Sequence, residues 1–90
     1  MKIVGKTTEK KIVVANVFLL FDTYGLPLVT IFDFCKENDF VISWLDFYNE
    51  AKLAGWEHKT IISRLSDSIC DVWGDEYRNA VMSRLTVMSN

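Results

Sequence analysis

From residue 27 onward the apolar positions recur with the period of an α-helix. Leu28, Ile31, Phe32 and Cys35 fall at i, i+3, i+4 and i+7, an apolar stripe that predicts a helix over residues 27–38. Pro27 suits its first position, where a missing N–H is not needed. The pattern stops near Asn38-Asp39. Ser43 reads as the N-cap of a second helix over 43–54, with Asp46 three residues on as a shortened capping box. Trp44, Phe47, Tyr48 and Ala51 form its stripe, and Gly55 closes it. Over 58–73, Ile61, Ile62, Leu65, Ile69, Val72 and Trp73 share one face, while Lys59, Ser63, Asp67 and Asp71 share another. Gly74 stops that helix. Asp75 can cap a last one over 75–88, with Tyr77, Ala80, Val81, Leu85 and Met88 on one side and Arg78 and Arg84 left for solvent. Leu28, Phe32, Phe47, Ile62, Leu65, Ile69 and Val81 sit at the centres of these stripes and are expected in one core.

The first 26 residues read less clearly. Residues 1–8 lack a period and read as a tail. Between Glu9 and Phe21 the β-branched Ile12, Val13, Val14 and Val17 favour a strand, but the run is longer than a typical strand, and Thr8 could cap a helix. Lys2, Lys6, Lys10 and Lys11 precede the apolar run Ile12–Phe21 in the manner of a secretory signal. No small-x-small cleavage site follows, and the run is too short to span a bilayer, so it is expected to be a core element. Asp22–Leu26 is a turn, with Gly25 free to take positive φ.

Composition sharpens this picture in three ways. At 90 residues the chain has room for one core, read as a single helical domain over 9–90. Half of its residues are hydrophobic and 13% aromatic, which excludes a chain held open by charge. A net charge of −2 and a pI near 5.2 provide no general field for a phosphate backbone. Cys35 and Cys70 form no C-x-x-C pair, lie on apolar stripes and fit a reducing cytoplasm.

Candidate chemistry is sparse. His58 is the single histidine; it lacks ligand-spaced cysteines and any H-E-x-x-H partner, and reads as a helix-start residue. Asp67 with Asp71, and Asp75 with Glu76, sit where helix surfaces and caps carry carboxylates. No catalytic, cofactor-binding or metal-binding residue is assigned, and the chain reads as non-enzymatic. Of the three tryptophans, Trp44 and Trp73 fall on core stripes, whereas Trp56 follows the helix-ending Gly55 and is the one placed to anchor a partner. Tyr48, Tyr77, Arg78 and Arg84 complete the candidate partner-binding set.

One stretch carries a resemblance. Phe18–Pro27 reads FLLFDTYGLP, followed by Cys35-Lys36-Glu37 and Phe47 at matching distances. It is similar to a signature of alanyl-tRNA synthetases, roughly F-x-L-Y-D-T-Y-G-F-P, and the similarity extends over about a third of the chain, to roughly Ala51. In that family the segment looks like part of the helical tRNA-recognition region, downstream of the active site, so the resemblance implies shape and brings no catalytic residue. It tips residues 9–21 to helix, giving an all-α bundle of four to five short helices. Free-standing chains of this size with such a fragment look like phage or mobile-element products. The function expected is thus a small cytoplasmic regulator or adaptor that binds a protein, with a phage lysis-inhibition factor (antiholin) as one concrete form and no membrane insertion. The alternative is a tRNA- or RNA-binding module, using Lys52, Lys59, Arg64, Arg78 and Arg84 with Trp56 or Tyr77 as a stacking face.

Overall fold

The computed structural model describes residues 1–88. The chain runs β1 (Lys2–Lys6), β2 (Ile12–Ala15), α1 (Val17–Asp22), α2 (Leu28–Glu37), β3 (Val41–Ile42), α3 (Trp44–Leu53), α4 (His58–Trp73) and α5 (Asp75–Met88). This is an α+β fold and overturns the all-α expectation. A three-stranded mixed sheet, ordered β1-β2-β3, has β1 antiparallel and β3 parallel to the central β2.

The correction is confined to the first 42 residues. The segment read as a tail is β1. It pairs with β2 from Lys2↔Ala15 to Lys6↔Ile12, with an irregularity between Ile3 and Gly5. The run 9–21, read as one helix, is split by Asn16, whose φ of 60° interrupts any regular element. Before it, the β-branched Ile12-Val13-Val14 takes the strand that its stiff side chains favour; after it, a helix of only six residues forms. Propensity was the better guide to the first part of this run, and only Val17–Asp22 takes the expected helix. Thr8 is no helix cap. It lies in the hairpin turn, where the Lys10 N–H donates to the Thr7 carbonyl (2.9 Å) and the Lys11 N–H to Thr7 Oγ1 (3.1 Å).

From Pro27 on, the helices follow the apolar stripes. Pro27 stands one place earlier than expected, as the N-cap, with φ −60° and ψ 142°. α2 and α3 end alike: the Phe40 N–H bonds the Cys35 carbonyl and the Asp39 N–H that of Lys36, while the Trp56 N–H bonds Ala51 and the Gly55 N–H bonds Lys52. Both are Schellman closures, with Asp39 (φ 58°) and Gly55 (φ 97°) in the left-handed position. Gly74 ends α4, and its carbonyl accepts the Arg78 N–H at the start of α5. Lys36 Nζ donates to the Val72 carbonyl in the last turn of α4 (2.8 Å), tying α2 to α4 where a cation suits the helix end.

The core lies between α2, α3, α4, α5 and the buried side of the sheet. Leu28, Phe32, Phe47, Leu65, Ile69 and Val81 are all buried there, joined by Val14 and Ile42 from the strands. Ile62 is a correction: it is only partly buried and packs at the core's margin. Phe32 sits among Trp44 (5.2 Å between ring centres), Trp73 (5.8 Å) and Phe47 (6.2 Å).

Candidate functional site

The five sequence candidates do not converge on one site. Tyr48 is buried on α3, and its hydroxyl shares a 2.8 Å hydrogen bond with Nδ1 of His58 at the start of α4. Trp56 is partly buried. The Schellman closure at Gly55 turns it inward, its edge meets Phe18 (5.1 Å) and Phe21 (5.6 Å), and the Arg64 guanidinium lies 5.1 Å over its ring. Arg64 therefore covers an aromatic face of this chain. Arg78 is held on its own helix by Asp75 (3.8 Å) and Asn79 (3.0 Å).

Tyr77 and Arg84 are brought together. Two helical turns apart on α5, both line a cleft of about 510 Å³ between that helix, β3 and the start of α3. Tyr77 stacks on Trp73 at 4.8 Å, and its hydroxyl oxygen accepts from Trp44 Nε1 at 3.4 Å.

A second surface lies at the other end of the aromatic core, in the segment that carries the resemblance. Every residue from Asp22 to Pro27 is exposed. Gly25 takes φ 71°, and its N–H returns to the Phe21 carbonyl (3.1 Å) while that of Leu26 returns to Leu20 (3.2 Å). This backbone path leaves Tyr24 68% and Leu26 42% exposed. Beside it, Leu19 of α1 and Leu53 of α3 line a shared recess with Asp22 and Glu50; Leu19 is 44% exposed and Leu53 90%. Leu53 was missed by the periodic reading of helix 43–54, although the sequence held a signal: it falls outside the stripe Trp44, Phe47, Tyr48, Ala51.

The titratable groups show how this scaffold treats charge. Burial pushes the Cys35 thiol up to about 11. The Cys70 thiol donates to Asp75 Oδ1 (2.9 Å), and that bond raises its pKa, the opposite of what an attacking thiolate needs. Glu50 is also raised, chiefly by burial; backbone N–H groups of Asn16 and Phe18 oppose the shift, and Asp46 adds to it. Among the described residues no group of three or more His, Cys, Asp or Glu side chains is placed to hold a metal ion, and no helix is long and apolar enough to cross a membrane.

No protein-family model, curated protein sequence or solved structure matches the chain.

Proposed function

We propose that the protein is a small non-enzymatic regulator or adaptor of the cytoplasm that works by protein–protein interaction, and that its contact surface runs from the Asp22–Pro27 loop across Leu19 to Leu53. The observation that carries this is the exposure of Tyr24 and Leu53, 68% and 90%, on neighbouring elements of a chain with a well-filled core. Contiguous exposed apolar side chains mark interaction surfaces, and tyrosine is enriched among the residues that anchor them. In its most specific form the proposal makes the chain a phage lysis-inhibition factor, a class its size suits.

The test is capture of partners from the native cell with tagged wild type, Tyr24→Ala and Leu53→Ser, each with and without RNase. A protein partner should survive RNase and bind each variant more weakly by about thirtyfold, or 2 kcal/mol, while thermal midpoints stay close to wild type. Partners lost on RNase treatment would turn the reading toward an RNA-binding module. Retention by both variants would remove this surface from the interface.

A further inference from the structure

The cleft between α5 and β3 lies apart from the Tyr24–Leu53 surface and has a different chemistry. Its volume, about 510 Å³, lies within the range of small-molecule sites, which are mostly apolar with a few polar groups that orient the ligand. Val41, Trp44, Val81 and Leu85 supply apolar walls, and of the described residues that line it Arg84 alone is charged. Among the described residues Arg84 has no acidic partner, unlike Arg78, which is held by Asp75.

The hydroxyls of the cleft are already partly committed. Tyr77 Oη accepts from the Trp44 indole, and Thr7 Oγ1 accepts from the Lys11 N–H, so each has its proton left to donate. Ser43 directs its proton away, to Asp46 Oδ2 (2.6 Å). What the cleft presents to an occupant is therefore an unpaired guanidinium, two hydroxyl donors and an apolar floor. An occupant with a charged acceptor at the Arg84 end and hydrocarbon along its body matches the guanidinium and the apolar floor without engaging the Tyr77 hydroxyl at the far end. The seven-residue spacing between Tyr77 and Arg84 sets the body length, roughly 10 Å at 1.5 Å per residue.

We propose that this cleft is a binding site for a small amphipathic carboxylate, with its carboxylate on Arg84 and its hydrocarbon body lying between Val81 and Val41 toward Trp44. The site is independent of the protein-contact surface and can hold or fail whatever becomes of it. It gives the chain a ligand input separate from its partner.

The experiment titrates the isotope-labelled full chain with decanoate, and with decanol as the uncharged counterpart, below their micelle or solubility limits. Decanoate should give saturable shifts at the Trp44 indole N–H and at the Val41, Val81 and Arg84 signals. Decanol should bind at least about tenfold more weakly, and Arg84→Ala should lose decanoate affinity by about tenfold or more, the usual scale of a charged hydrogen bond. Ala80→Phe, made at an exposed cleft-lining position, should block the site with the fold intact. Absence of saturable shifts, equal binding of decanol, an undiminished Arg84→Ala, or shifts confined to Leu19 and Leu53 would each overturn the proposal. So would binding of an N-acetylated apolar dipeptide in place of decanoate, which would assign the cleft to the C-terminus of a protein.

Discussion

β1 and α4 hold their places by opposite means. All five residues of β1 are exposed, so the strand is fixed by its main-chain ladder to β2 and by the turn that returns the chain. α4 buries Ile61, Leu65, Ile69 and Val72 along one face, and α2 and α5 pack upon it. In one region the backbone carries the structure; in the other the side chains do. The difference teaches where sequence changes matter: truncations should be felt in α4 and ignored in β1, while changes of backbone freedom should be felt at the hairpin.

The sharpest break of that comparison is a pair of truncations. Leu65 is fully buried, and Leu65→Ala should destabilise the domain by about 2–5 kcal/mol in chemical denaturation. Ile3→Ala, at a side chain 64% exposed, should stay within about 0.5 kcal/mol. A large loss at Ile3 would mean that β1 is covered by something beyond this chain.

The same division explains what could be read in advance. The helices from Pro27 onward were legible because Phe32, Phe47, Leu65 and Val81 bury side chains at helical spacing, and because Gly55 and Gly74 stop the helices with positive φ. β1 was illegible because Ile3 and Val4 point to solvent, leaving no alternation of buried and exposed positions to detect. β3 has only two residues, too few for a period. The break at Asn16 depends on a left-handed conformation that asparagine tolerates but does not require. As for the candidate surfaces, Tyr77 and Arg84 were legible as a pair on α5, but the cleft beside them needed β3, which the all-α reading lacked. Trp56 was legible as a junction residue, whereas its cover by Arg64 depends on how α4 packs.

A smaller effect sharpens the backbone side of the comparison. Lys10 closes the hairpin turn at φ 66°, a conformation that costs a side-chain-bearing residue about 1–2 kcal/mol. Lys10→Gly removes that cost but adds freedom to the unfolded chain, so a net gain of about 0.5–1 kcal/mol is expected in the same denaturation assay. No change, or a loss, would show that the lysine side chain rather than the turn holds the hairpin.

The smallest effect lies at the junction of the two regions. Glu50 on α3 faces the N–H groups of Asn16 and Phe18, where β2 gives way to α1, and its Oε1 is buried without a hydrogen-bond partner among the described residues. Burial raises its pKa above the ordinary value of 4.5. A carboxyl raised in this way is favoured in its protonated form by the folded state. Its stabilising contribution is therefore fully present below the unfolded value and is lost as pH rises through the folded one. Glu50→Gln keeps the shape and removes the titration, so the difference in thermal midpoint between variant and wild type should shift in the variant's favour as pH rises from 4.5, then level off. A difference that stays flat across this window would mean that the Glu50 carboxylate is as well solvated in the fold as in the open chain, and that the junction is held by packing of Val17 and Phe18 alone.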